Sequence, residues 1–272
     1  MADVLVSVIT PAYNVERYIS DAIESILAQS FRDFEYVVID DCSTDRTWEI
    51  IQSYAKKDSR IRASRNEKNL GIAGNRNAGL RQARGKYIVW QDADALSVPL
   101  RIKKQLVLME AHPEVGIVGG FIEMFDARGS RGVRMYAPDD ASVRRTIFRY
   151  SPVAQPASMV RKACFDEVGE FDLRYPPAED LDISFRIGVR HKFANLQEVM
   201  IRYREHPASS TFTRLRKIET STLEIRKKFA KSGYYYMTIS DRLYNLLQAI
   251  SIWTVPPRLK IWVFDKIRNR TV

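Results

Sequence analysis

The chain reads as an α/β protein with a mostly parallel, Rossmann-like central sheet flanked by helices, and three observations lead there. Short β-branched and aromatic runs alternate with segments of helical apolar spacing through the first hundred residues. One run, Tyr87-Ile88-Val89-Trp90, is apolar throughout, as suits a strand covered on both faces. Several runs stop on polar residues, and parallel strands deliver their carboxyl ends to one edge, where open sheets bind ligands.

Residues 4–10 are the first strand, closed by Pro11, and residues 20–28 carry Ala22, Ile23, Ile26 and Leu27 at helical spacing. A second strand covers 34–39 and ends on Asp40 and Asp41. Ser43-Thr44-Asp45 then caps a helix whose face holds Trp48, Ile51 and Ala55. A short strand at 61–63, a helix at 75–83 and the strand at 87–90 complete a run of βαβ units with right-handed crossovers. Residues 115–124 predict a further strand, with Gly116, Gly119 and Gly120 admitting sugar or chain closely. Residues 126–140, polar and rich in Gly and Arg, predict a mobile loop, either solvated or lying over an acceptor.

The 272 residues, 45% of them hydrophobic, suffice for one large α/β unit or two small ones. A formal charge of +10 implies an anionic partner: nucleic acid, membrane or phosphorylated substrate. Cys42 and Cys164 form no Cys-x-x-Cys pair, so a disulfide scaffold and a zinc site are disfavoured. No basic leader precedes the first strand, and no apolar run reaches the roughly 18 residues of a spanning helix, so a cytoplasmic protein is expected.

The chemistry converges on three strand ends: Pro11-Ala12-Tyr13-Asn14, Asp40-Asp41 and Asp92-Ala93-Asp94. Two acids one residue apart either cap the helix beginning near Pro99 or seat Mg²⁺ or Mn²⁺, which then takes its other ligands from phosphates and water. Tyr13 is a base-stacking face or a rim aromatic, Asp41 an acceptor for a base N–H or an N-cap, and Arg76 a phosphate fork or a solvated helix charge. Their coincidence beside an acidic pair favours the functional readings. Neither G-x-G-x-x-G after the first strand nor G-x-x-x-x-G-K-[ST] occurs, which removes support for redox dinucleotides and P-loop chemistry. Asp180 follows the stiff Pro176-Pro177 turn at the start of a helix, where the dipole favours an ionised carboxylate. Glu179 and Asp182 there serve either as caps or in the site.

The segments from Ser7 to Asn14 and Ile39 to Asp45, Asn69-Leu70-Gly71 through Gly79, Gly85-Lys86-Tyr87-Ile88, Asp92-Ala93-Asp94, Gly169-Glu170-Phe171-Asp172, Glu179-Asp180-Leu181-Asp182, and Tyr203 to Pro207 with Ser209 together resemble the family 2 glycosyltransferases of the GT-A fold. The likeness covers residues 4 to about 210, in order. It implies a GT-A domain over 1–210, with a nucleotide-sugar half at 1–98 and an acceptor half at 99–210. It also implies that Pro11, Ala12, Tyr13, Asn14, Asn69 and Gly71 line the donor site, with Asp41 on the base edge and Arg76 facing base or diphosphate. Asp92 and Ala93 would sit near the ribose, Asp94 and His206 would hold a divalent Mn²⁺ or Mg²⁺, and Asp180 would be the catalytic base, with Glu179 and Gln155 on the acceptor side. Cys42 stands where the family usually has Gly, and Ala95 replaces a frequent second acid.

The activity so implied is inverting, metal-dependent transfer of a single hexose-type sugar from a nucleoside diphosphate donor, UDP favoured, to a hydroxyl of a glycan or polyprenyl-linked acceptor. A Gln-x-x-Arg-Trp motif, which marks processive relatives, is absent. The alternatives are a nucleotidyltransferase, which would release pyrophosphate, and a non-catalytic glycan- or membrane-binding protein. Residues 211–272 form a basic, amphipathic helical extension with Leu243, Leu246, Leu247, Ile250 and Trp253 on one face and Leu259, Trp262 and Val263 on another. Such helices suit the inner face of an anionic cell membrane, or else pack on their own domain or on a second subunit. Nucleic acid is not expected, because no recognition motif occurs.

Overall fold

The computed structural model describes residues 4–206 and 213–270. Pro207 and Ser209 of the expected motif lie outside them. The first units are β1 (Val6–Ala12), α1 (Ile19–Leu27), β2 (Phe34–Asp40), α2 (Thr47–Ala55), β3 (Ile61–Arg65), α3 (Gly71–Gln82) and β4 (Tyr87–Trp90). The four strands are parallel in the order β3-β2-β1-β4, with Ala12 opposite Asp40 and Ile9 opposite Trp90. The chain thus winds outward from β1 and then returns to its other side. Crevices form at such reversals, at the carboxyl ends.

Alternate residues of these strands enter two different apolar layers. Ile9, Val37, Ile39, Ile88 and Trp90 pack on one side of the sheet, while Val8, Tyr36, Val38, Tyr87 and Val89 pack on the other. The continuous apolar runs follow from this, since neither face is left for water. Gly85 lets β4 begin against β1: a Cβ there would lie 2.5 Å from the Ser7 nitrogen.

Next come β5 (Leu96–Ser97), α4 (Arg101–Ala111), β6 (Val115–Asp126), β7 (Gly129–Arg134), α5 (Asp140–Thr146), β8 (Met159–Arg161), α6 (Lys162–Val168), α7 (Glu179–Gly188) and β9 (Lys192–Arg204). β8 joins β4 to β6 by antiparallel pairing on both sides, so one sheet runs through the expected donor and acceptor halves. β6 pairs β8 and then β7 along one edge and β9 in parallel along the other. The expected mobile loop is in part the hairpin β6/β7, turned at Gly129 with φ 117°. Gly120 of β6 admits chain rather than sugar, for a Cβ there would meet Met200 of β9.

The extension begins with α8 (Leu215–Ala230), which is part of the core. Phe229 stacks on Phe185 of α7 at 4.7 Å, and the Tyr235 hydroxyl donates to the Phe185 carbonyl at 2.7 Å. α9 (Ile239–Thr254) opens with a capping box between Thr238 and Asp241, and α10 (Pro257–Arg268) follows the Pro256-Pro257 break. β10 (Asn269–Arg270) closes on β7 in antiparallel register. Among the described residues no helix is long and apolar enough to cross a membrane.

Candidate active site

The carboxyl ends of β1, β2 and β4 meet at one edge, and their loops are tied together by side chains. The Asn14 amide N–H donates to Ser43 Oγ at 2.9 Å, and Asn14 Oδ1 accepts from the Thr44 backbone at 2.9 Å. Tyr13 stands beside them with 47% of its surface exposed, and Pro11 and buried Ala12 lie beneath. Cys42 adopts φ 60°, the left-handed region that favours glycine, which accounts for the residue type expected there.

Asp41 is buried, and its oxygens accept from Asn66 Nδ2 at 2.7 Å and from the backbone N–H groups of Leu70 and Gly71, each at 2.9 Å. It caps the start of α3, aided by Asn69 Oδ1 on the Gly71 N–H at 3.0 Å. Asp41, Asn69 and Gly71 thereby form one structural unit at the carboxyl edge of the parallel strands.

Arg76 is buried on α3. Its Nη1 donates to Glu179 Oε1 at 2.6 Å and its Nη2 to Asp92 Oδ1 at 3.4 Å, and its guanidinium faces the rings of Phe171 and Trp90. The guanidinium expected to face base or diphosphate is paired with two carboxylates. Three acids share this one cation. Burial raises Asp92 to about 6, helped by the charges of Asp94 and Asp180 and opposed by Arg76. It raises Glu179 to about 7 against the pull of Arg76, and raises Asp180 in the same way. A carboxylate with a raised affinity for protons is matched to removing one from an alcohol.

Asp94 and His206 are brought together, Nε2 lying 2.9 Å from Oδ2. The imidazole lies against Tyr18 with ring centroids 4.8 Å apart and planes inclined by 35°, and Arg204 lies over the Tyr18 ring. Among the described residues no group of three or more His, Cys, Asp or Glu could hold a metal alone. One carboxylate and one imidazole nonetheless fit a divalent ion that completes its shell with diphosphate and water.

Buried Gln155, in a 3₁₀ turn at Gln155–Ala157, has no partner for either side-chain amide atom. A fully buried amide without a partner has capacity to bind a hydroxyl. Ala93 is buried beside the acids.

Arg101, Gln91 and Tyr136 join the site unannounced by the sequence, and Tyr203, part of the expected motif, joins it without an expected role. Arg101, fully buried, donates to Gln91 Oε1 at 3.2 Å, Ser97 Oγ at 2.9 Å, and the carbonyls of Trp90 at 2.7 Å and Ser158 at 3.2 Å. Gln91 Nε2 in turn donates to the carbonyls of Asp92 and Ala95 at 2.9 and 2.6 Å. The turn carrying Asp92 and Asp94 is therefore held from behind by a cation with only neutral partners, whose affinity for its proton burial lowers to about 9. Tyr136 and Tyr203 flank the acids, their phenols raised by burial and by the charges of Asp180 and of Asp94 respectively. No local pattern distinguishes Arg101, Gln91 or Tyr136. Arg101 sits among Lys103 and Lys104, as a solvated helix charge would.

The chain matches the family model described as glycosyl transferase family 2 over residues 7–169. It is 30% identical over 219 residues to the uncharacterized glycosyltransferase MJ1057 of Methanocaldococcus jannaschii, covering 78% of this chain and 75% of that protein. In three dimensions it resembles Staphylococcus aureus TarS in complex with UDP-GlcNAc, with a TM-score of 0.65 at 22% identity over 97% of this chain and 85% of that one. It also resembles the mannosyltransferase PcManGT of Pyrobaculum calidifontis in complex with GDP-Man and Mn²⁺, with a TM-score of 0.65 at 20% identity over 98% and 76% of the two chains. The GT-A fold follows from these likenesses.

Proposed function

Since the chain belongs to glycosyl transferase family 2, we propose that it moves one hexose-type sugar from a nucleoside diphosphate donor, UDP favoured, to a hydroxyl on a glycan or polyprenyl-linked acceptor, with inversion. The observation that carries this reading is the pairing of Asp94 with His206 beside a cluster in which Asp180, Glu179 and Asp92 share Arg76.

Tyr13 offers its exposed ring to the base, and the unit of Asp41, Asn69 and Gly71 borders the same edge. Asp92 lies toward the ribose. Asp94 and His206 would hold the divalent ion, Mn²⁺ or Mg²⁺, which when bound neutralises charge developing on the departing diphosphate. Asp180 takes the proton of the acceptor hydroxyl as its oxygen attacks the anomeric carbon, on the face opposite the leaving group. A single displacement of this kind inverts the anomeric centre. Gln155 supplies a neutral amide to orient the acceptor, and Glu179 keeps Arg76 in place beside the base. The working place is the cytoplasmic side of a membrane, which the composition of the extension supports.

The test is product release from a panel of UDP-, GDP- and dTDP-sugars with and without Mn²⁺. Metal-dependent appearance of a nucleoside diphosphate supports the reading. Pyrophosphate release, or no turnover of any donor with any metal, overturns it.

A further inference from the structure

Helix α9 is built inside out. Its polar residues face the protein: Asp241 accepts from Arg149 Nε at 2.5 Å, Asn245 Nδ2 donates to the Phe148 carbonyl at 2.9 Å, and Gln248 Oε1 accepts from Arg226 Nη1 at 2.9 Å. Six of its apolar residues face out, while Ile252 is buried. Ile239, Leu243, Leu246, Leu247, Ile250 and Trp253 are each between 51% and 86% exposed. After the Pro256-Pro257 break, Leu259 and Trp262 are likewise 49% and 59% exposed. Contiguous apolar surface of this kind on a folded chain marks a contact with another phase or molecule.

Charge selects the occupant. After residue 210 the chain carries thirteen Lys and Arg against four Asp and Glu, nearly all of the formal +10. A second copy would bring the same excess to the contact and be repelled, whereas an anionic surface is complementary. Several of these cations are turned inward: Arg226 to Asn245 and Gln248, Lys228 to Asp182 and Lys260 to Glu219. Arg242 and Arg258 remain exposed beside an apolar stripe. The outward face is thus that of an interfacial helix with cationic flanks, not that of a cationic patch.

The same surface leads to the acceptor side. α10 ends in β10, which pairs with β7, and Arg268 lies over the rings of Tyr150 at 4.1 Å and Tyr136 at 5.9 Å. Tyr136 in turn lies in the field of Asp180. We infer that α9 inserts its outward stripe into the interfacial layer of an anionic bilayer, which holds the Tyr136 rim at the surface and presents a lipid-linked hydroxyl to Asp180. This rests on reading the extension as a membrane contact, and it adds that apolar insertion rather than charge alone holds the protein there.

The experiment uses the full chain with vesicles of phosphatidylcholine, with and without phosphatidylglycerol, at low and high salt. The expected result is binding to the anionic vesicles that survives high salt. Lipids brominated in the acyl chains should quench the part of the fluorescence that Trp253→Phe removes. Leu247→Asp, at an exposed position, should weaken partitioning by about tenfold or more while nucleotide binding in solution is unchanged. Binding that vanishes in high salt, without quenching, overturns insertion and leaves surface contact standing. Failure to bind any vesicle overturns both, and a wild-type dimer that Leu247→Asp dissociates would then give the face to a second copy.

Discussion

Arg76 Nη1 lies 2.6 Å from Glu179 Oε1, joining α3 to the first turn of the helix that carries Asp180. Both side chains are almost wholly buried, so neither is screened by water. Arg76→Met should leave Glu179 and Asp92 without their cation and cost about 3–5 kcal/mol, read as a fall in melting temperature. The double variant Arg76→Met, Glu179→Met should recover part of the loss. Additive losses would show that the pair does not act as a unit.

The same pair makes stability depend on pH. Glu179 titrates at about 7 in the folded chain, against 4.5 as an ordinary glutamate. The unfolded chain releases this proton first, so between those values the native state binds more protons and stability falls as pH rises. Glu179→Gln should flatten the decline, which amounts to roughly 3 kcal/mol across the interval. Denaturant midpoints of both proteins from mildly acidic to slightly alkaline pH check the sign.

Asp180→Asn should lower turnover by about 10²–10⁴-fold while nucleotide affinity is kept, because only proton transfer is removed. Asp94→Asn should do the reverse in binding experiments, losing the part of nucleoside diphosphate stabilisation that depends on Mn²⁺. A thermal-shift series with and without Mn²⁺ separates the two, and equal losses of metal-dependent binding in both variants would contradict the assigned roles.

Arg101→Met should take a donor from the carbonyls of Trp90 and Ser158 and from the side-chain oxygens of Gln91 and Gln105; Ser158 keeps the Trp90 N–H and Gln91 keeps Ser97 Oγ, so the cost is about 1–3 kcal/mol for each acceptor left unpaired. Arg101→Lys cannot restore the fork and should rescue only part. Beyond lost stability, the variant should raise the donor KM more than it lowers kcat at saturation, since the turn bearing Asp92 and Asp94 loses its support.

What the sequence made legible is what periodicity and order encode. The four parallel strands, with β4 at its observed limits, follow from apolar runs and helical spacing, and Asp94 and His206 met as the family likeness implied although 112 residues separate them. The unforeseen features depend on long-range partners. β9 is thirteen residues of mixed polarity whose pairing with β6 no local pattern announces. β7 is short, exposed and glycine-bearing, so it reads as loop until a partner fixes it. Arg101 reads as a helix-surface charge, and Arg76 as a fork for a ligand rather than for two carboxylates, because burial of a guanidinium is decided by what packs over it. The stripe of Leu243, Leu247 and Ile250 was visible as amphipathic spacing, but which face of α9 turned outward was not.

β6 is flanked on one side by β8 and β7 in succession and on the other by β9, while β8 also adjoins β4. The molecule therefore has no seam along which its halves can be recombined. A chimera that takes residues 1–98 from one relative and the remainder from another must match the ladder at Tyr87 to Val89 residue by residue, or forfeit the sheet. Exchange of the hairpin tip around Gly129 disturbs only an exposed end. Diversification by transplanting the rim, with the parallel strands inherited intact, is the course this connectivity leaves open.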